Sequence, residues 1–265
     1  MPVIGFVGTG NMGGALARAA STNKENSLLL ANRTPTKAQA LADEIGGSVC
    51  DNATALSAAD FVFLGVKPQM LRGLAETAAP VLAARESSFV LVSMAAGSSI
   101  ELIQSLFGNY PVIRIMPNTP ASIGQGMILY ACSAEVGEER EKAFLEAMGG
   151  AGRFMKLEEK LIDAGTAISG CGPAFADLFI EALADGGVVC GLPRAKAQLY
   201  AEKMVEGTAK LLMTTGQHPG QLKDAVCSPG GSTIAGVRAL EQGGLRKTAM
   251  EAVIAATERN KELGK

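Results

Sequence analysis

The 265-residue sequence contains no tryptophan, three tyrosines and a single histidine, His218. One histidine and no paired cysteines leave little material for a zinc centre, and no metal is expected. The five cysteines, Cys50, Cys132, Cys171, Cys190 and Cys227, are odd in number, scattered and free of any C-x-x-C spacing. They read as reduced thiols of a cytoplasmic protein. Charged residues make up 19%, the net charge is −2, and no long basic run occurs. That argues against nucleic acid or an anionic membrane surface as a main partner. The first apolar run has no basic region before it and is broken by glycine within a few residues, unlike a signal peptide. No window of about 18 uninterrupted apolar residues appears, so no membrane span is expected.

What the chain does have is apolar residues, at 48%, and 32 glycines. This composition suits a folded protein with a large core, and the length suits two domains. The pattern changes near Glu158. Residues 1–158 alternate short apolar runs with helical segments, and residues 159–265 read as helices only.

The stretch from Val3 to Gly14 carries the first motif. Val3, Ile4, Phe6 and Val7 suit a buried parallel strand. Gly8, Gly10 and Gly13 follow at G-x-G-x-x-G spacing, and a good helix former comes next. Strand, glycine turn and helix in that order make a dinucleotide fingerprint. The first glycine allows the tight turn, the second lets backbone approach a pyrophosphate, and the third lets the helix pack close. The helix N-terminus offers free N–H groups to the phosphates. Val7, Gly8, Thr9, Gly10, Asn11, Met12 and Gly13 are the expected pyrophosphate contacts. The alternative is a glycine turn that binds nothing.

Further strands are expected at Ser27–Ala31, Ser48–Cys50, Phe61–Val66, Phe89–Ser93, Val112–Met116, Met127–Ala131 and Arg153–Leu157. Helices between them predict an α/β domain of Rossmann type: a mostly parallel, doubly wound sheet whose last one or two strands are of open direction. About 20 residues past the glycine turn, a dinucleotide domain for NAD places an acid on the ribose. Here stand Asn32, Arg33 and Thr34. A guanidinium suits a 2′-phosphate, which predicts NADPH, with NADH as the lesser cofactor. A solvated arginine at a strand end is the plainer reading.

Three loops follow later strands: Val66-Lys67-Pro68, Met94-Ala95-Ala96 and Met116-Pro117-Asn118-Thr119-Pro120. Ligands of open α/β sheets sit beyond the carboxyl ends of strands, so these loops are expected to line the nicotinamide pocket. Asn118, between two prolines, is expected to offer an amide to the ligand. Lys67 reads either as catalytic or as a brace for its turn.

In the second half, Phe175, Leu178, Phe179, Ala182, Leu183, Gly186 and Val189 mark one face of a helix that is apolar most of the way round. Such a helix must be covered, and about 105 residues can hardly do so alone. An all-α domain interlocked with a second copy, a homodimer or higher oligomer, is therefore expected. A core helix within one chain is the alternative. The last motif is Cys227-Ser228-Pro229-Gly230-Gly231-Ser232-Thr233 before a helix. It reads as a second anion site suited to a small carboxylate, or as a plain helix cap with Ser232 or Thr233 as capping residue.

At these residues the chain resembles the pyrroline-5-carboxylate reductases. The similarity runs through Gly8-Thr9-Gly10-Asn11-Met12, Val66-Lys67-Pro68, Met116 to Pro120, Ser169 to Ala174, and His218 to Thr233. The last block is the most specific. The resemblance implies NAD(P)H-dependent reduction of a cyclic imine, L-1-pyrroline-5-carboxylate, to L-proline. It implies that the substrate carboxylate rests on the N–H groups of Gly231, Ser232 and Thr233, within a Gly230–Thr233 site, and that the Thr233 hydroxyl meets the ring nitrogen. It also implies that Asn52 and the Asn32-Arg33-Thr34 turn bind the adenosine end of the cofactor. Phe175 stands where many members carry tyrosine, so it is given no role.

The residues fit an imine independently. A ketone needs a proton delivered to its oxygen, by His, Lys or a Tyr/Lys pair. The only histidine precedes a proline, and Tyr200 has Met204 four residues on. A protonated imine already carries its proton, so alignment is the main task. The rivals are a related small-acid reductase using Lys67 or Lys196, and a non-enzymatic NADP sensor.

Overall fold

A computed structural model describes residues 1–263. The described residues divide into two compact units, 1–171 with 255–263, and 172–254.

The first unit is built on eight strands: β1 (Val3–Val7), β2 (Ser27–Ala31), β3 (Ser48–Val49), β4 (Phe61–Leu64), β5 (Val90–Ser93), β6 (Val112–Met116), β7 (Gly126–Cys132) and β8 (Gly152–Lys156). Their order across the sheet is β3-β2-β1-β4-β5-β6-β7-β8. The first six are parallel to their neighbours. β7 runs antiparallel to β6, and β8 parallel to β7. Both strands left open in direction therefore run against the other six.

Helices α1 (Asn11–Ser21), α2 (Pro35–Ile45), α3 (Asn52–Ala58), α4 (Leu71–Ala83), α5 (Ile100–Phe107), α6 (Glu138–Met148) and α7 (Ile162–Ser169) complete this unit. Alternation along β4 shows why both faces need cover. Phe61 and Phe63 enter one buried cluster with Phe6, Leu16 and Phe144. Val62 and Leu64 enter another with Leu56, Leu91 and Ile103. Phe6 stacks on Phe63 with ring centroids 4.6 Å apart. Each such side chain contributes about 1.5–3 kcal/mol on burial. Ser99 starts α5, its hydroxyl accepting the Leu102 N–H at 3.1 Å.

Sequence pattern alone assigned everything after residue 158 to a second domain. The structure instead packs α7 on the sheet. Ile162 is fully buried. The nearly buried Arg114 guanidinium donates to Asp163 at 2.8 Å and to Glu159 at 3.3 Å. Glu159 also accepts the Ile100 N–H at 2.7 Å, tying this segment to α5. One strand arginine thus recruits two carboxylates from beyond the expected boundary.

The second unit holds α8 (Gly172–Val189), α9 (Arg194–Thr215), α10 (Pro219–Ala225), α11 (Ser232–Gln242) and the first part of α12 (Leu245–Leu263). Gly170 and Cys171 are turn residues between α7 and α8, both donating to the Thr166 carbonyl. This is the break expected at Gly170–Pro173. Only Ala184, Ala197 and Ala201, where α8 meets α9, are buried in this unit. The expected apolar face of α8 is largely bare, with Leu178 65% and Val189 87% exposed.

Residues 159–189 are also long and apolar enough by composition to cross a membrane, with an 18-residue window of mean hydropathy 1.3, of which 11% is buried. The expectation of no uninterrupted apolar window stands beside this. An unbroken apolar run was required there, whereas the mean tolerates scattered glycine, serine and acid.

Candidate functional site: a cleft at the carboxyl edge of the sheet

Gly8 ends β1 in the left-handed region, at φ 105°. Its N–H donates to the Ala31 carbonyl at 2.8 Å, and the Gly65 N–H donates to the Val7 carbonyl at 2.8 Å. A Cβ on Gly8 would lie 2.5 Å from the Gly65 carbonyl oxygen, and one on Gly13 would collide with the Gly8 carbonyl oxygen. Turn and helix packing therefore account for these two glycines. Gly10 is different: a Cβ there would meet no protein atom within 4 Å. No packing inside the chain demands glycine at this position, and the open space beside it admits a ligand close to the backbone.

Gly10 is the N-cap of α1, and no side chain caps the helix. Its first N–H groups lack helical partners. The Thr9 hydroxyl, in a residue only 8% exposed, also has no partner. Unpaired donors around an open glycine suit a phosphate.

The cleft beside this turn encloses about 930 Å³. Among the expected contacts, Val7, Gly8, Gly10, Asn32, Arg33, Asn52, Val66 and Lys67 line it. Arg33 and Lys67 are exposed, and neither enters an ion pair among the described residues. Their charges are thus available to an anion. Apolar surface comes from Leu56, Met70 and Leu74. The residue set fits a dinucleotide, with a glycine-lined phosphate end, two cations and apolar walls.

Several contacts were missed in the sequence. Gly65 and Asp51 line the cleft, as do Gln69 and Met70 from the short 3-10 turn after Lys67. A glycine directly after the β4 run was the available signal for the first. Asp51 gave none, since it sits near no glycine motif.

Other expected residues take different places. Thr9, Asn11, Met12, Gly13, Thr34 and Pro68 adjoin the lining without joining it, and Met94, Ala95 and Ala96 lie further along the same sheet edge, after β5. Asn32 works within the chain. Its Oδ1 accepts the Thr9 N–H at 3.4 Å and its Nδ2 donates to the Thr34 carbonyl at 3.1 Å. It links the glycine turn to the Arg33 turn. Asn118 also works within the chain, through both ends of its amide. Oδ1 accepts the Met127 N–H at 3.0 Å, and Nδ2 donates to the Ser169 carbonyl at 2.9 Å. This side chain braces β7 and the end of α7, using one of its two amide N–H groups. Lys67 braces by backbone, its carbonyl accepting the Met70 N–H at 2.8 Å.

In the second unit, Ser228-Pro229-Gly230-Gly231 forms a tight turn. Proline and a glycine at φ 69° occupy its centre, and the Gly231 N–H donates to the Ser228 carbonyl at 3.0 Å. That is the signature of a type II turn. Gly231 is the N-cap of α11, with no side-chain cap. Capping by Ser232 or Thr233 is thereby ruled out. Gly231's own N–H is engaged, so the expected carboxylate contacts reduce to Ser232 and Thr233, both exposed. His218 caps α10: its Nδ1 accepts the Gly220 N–H at 3.1 Å, and Gln221 accepts the His218 N–H at 3.2 Å. The only imidazole is a helix cap.

A glycine-lined cleft on a mostly parallel sheet, in a chain that also carries a helical unit with a bare apolar face and a second glycine turn, is the layout of a two-unit NAD(P)-dependent oxidoreductase. Residues 159–263 match the family model described as pyrroline-5-carboxylate reductase dimerisation, and residues 3–97 match one described as NADP oxidoreductase, coenzyme F420-dependent. The chain is 40% identical over 264 residues to a pyrroline-5-carboxylate reductase of Pisum sativum, covering 98% of this chain and 95% of the relative. Among solved structures, it resembles a pyrroline-5-carboxylate reductase from Coxiella burnetii, with TM-score 0.90, 30% identity and coverage of 100% and 99%. It also resembles a pyrroline carboxylate reductase of Plasmodium falciparum with NADP bound, with TM-score 0.86, 29% identity and coverage of 100% and 98%. The chain belongs to the pyrroline-5-carboxylate reductase family.

Proposed function

We infer that this chain reduces L-1-pyrroline-5-carboxylate to L-proline with NADPH, the last step of proline synthesis, in the cytoplasm. The observation that carries the reading is the Ser228–Gly231 turn. It opens α11 with free N–H groups and no capping side chain, in a chain that already has a separate dinucleotide cleft.

NADPH, when bound, supplies the hydride. The chain's own residues bind and orient. Gly10 and the first turn of α1 hold the pyrophosphate, and Arg33 pairs with the 2′-phosphate. The N–H groups of Ser232 and Thr233 hold the substrate carboxylate. The Thr233 hydroxyl hydrogen-bonds the ring nitrogen and fixes the face of the ring. No general acid is needed, because the protonated imine loses its charge on accepting hydride. His218, committed to a helix cap, is consistent with that economy.

The helical segment from residue 159 is the oligomerising part. Its bare α8 face is covered by a second copy, so the apolar stretch 159–189 reads as a protein interface instead of a membrane span.

The test follows NADPH absorbance with pyrroline-5-carboxylate. Wild-type protein turns over, and Thr233→Ala loses about tenfold or more in kcat while its NADPH affinity stays near wild type. Thr233→Ser, which keeps the hydroxyl, recovers most of the rate. Turnover of 2-keto acids and none of the cyclic imine would overturn the reading.

A further inference from the structure

An acid is missing from the end of β2, but one stands just past the neighbouring strand, in the lining of the same cleft. β2 and β3 pair with Leu29 opposite Ser48 and Leu30 opposite Val49. The Cys50 N–H continues the ladder, donating to the Leu30 carbonyl at 3.1 Å. β2 and β3 end together here, and the chain just past them carries Asn32 and Arg33 on one side and Asp51 and Asn52 on the other. All four residues line the dinucleotide cleft.

Asp51 is fixed in place. As N-cap of α3 it accepts the Thr54 N–H at 2.7 Å. Bonds from Thr54 hold its carboxyl below the ordinary carboxylate range, so it is ionised at neutral pH. Arg33 and Asp51 form no ion pair with each other. One cleft wall therefore presents a guanidinium and a carboxylate as separate charges.

We propose that Asp51 is a specificity-determining residue that opposes Arg33. A carboxylate accepts hydrogen bonds from ribose hydroxyls and repels a phosphate carried in their place. Arg33 does the reverse. The balance admits NADH beside NADPH, and the acid that a dinucleotide domain for NAD carries on β2 is here supplied from β3. The inference rests on reading this cleft as the dinucleotide site.

The test is calorimetric titration of the full-length protein with NADP⁺ and, separately, NAD⁺. Asp51→Asn keeps a capping oxygen and removes the charge. It should tighten NADP⁺ about three- to fivefold and weaken NAD⁺ by a similar factor, shifting the ratio about tenfold. Raising the salt concentration should shrink the NADP⁺ effect. Asp51→Ala should shift the ratio the same way while lowering Tm through loss of the cap. A ratio unchanged in Asp51→Asn but altered in Asp51→Ala overturns the proposal, because Asp51 then acts only as a cap. A ratio unchanged in both also overturns it. Failure of wild-type protein to bind either dinucleotide would instead sink the assignment of the cleft.

Discussion

Gly8 and Gly65 lie backbone against backbone at the ends of adjacent strands, and a Cβ on either would run into the carbonyl oxygen of the other. Two loops from distant parts of the sequence thus share a space that only hydrogen atoms fill. Gly65→Ala must separate them. We expect a Tm loss of several degrees and at least tenfold weaker NADP⁺ binding, read by thermal melt and calorimetry. Wild-type values for both would show that the loops move apart at no cost.

Gly10→Ala separates folding from binding. Nothing in the chain occupies the position of its missing Cβ. Tm should stay within about 2 °C of wild type, because no contact is disturbed. NADP⁺ affinity should fall about tenfold or more, since the new methyl stands where backbone meets pyrophosphate. Unchanged affinity would return this turn to a purely structural role.

Arg114 is the buried link between β6 and α7, with Glu159 and Asp163 as its acids. Arg114→Ala leaves two partly buried carboxylates facing each other without a cation. The expected cost is about 3 kcal/mol or more, measured by urea unfolding of the first transition. A loss below about 1 kcal/mol would class the cluster with ordinary surface pairs.

Leu178 tests the bare helix face, being 65% exposed in a single chain. Leu178→Asp should shift sedimentation toward the monomer, because an unpaired charge in an apolar interface is costly. An unchanged oligomer would place the interface elsewhere.

Cys132 provides a pH test. Burial, with help from the Glu141 carboxylate, pushes its thiol up to about 11 from an ordinary 9.0. The folded protein holds this proton more tightly than the unfolded chain. Its stabilising contribution is complete below pH 9 and is lost as pH rises toward 11. Cys132 should resist alkylation at pH 8 in the folded protein and react on unfolding, with Cys190, exposed, as the internal comparison.

Most of the sheet was legible because its signals are local. β1, β2 and β6 match their expected bounds residue for residue, since each is a short apolar run closed by glycine or a polar turn. The glycine turn was legible for the same reason. The bracing role of Asn118 was not legible, because its partners, Met127 and Ser169, are chosen by folding and leave no mark beside it. The packing of α7 on the sheet was not legible, because one buried arginine, distant in sequence, draws it there.

The amino-acid order alone determined the class of fold, the phosphate-binding turn and the surplus of apolar helix. Each depends on residues within a turn or two of one another. Only the tertiary structure decided which acid shares a cleft with Arg33, because folding brings Asp51 there from 18 residues away in sequence. Charge acts through space, and the distances that govern it are set by the pairing of strands.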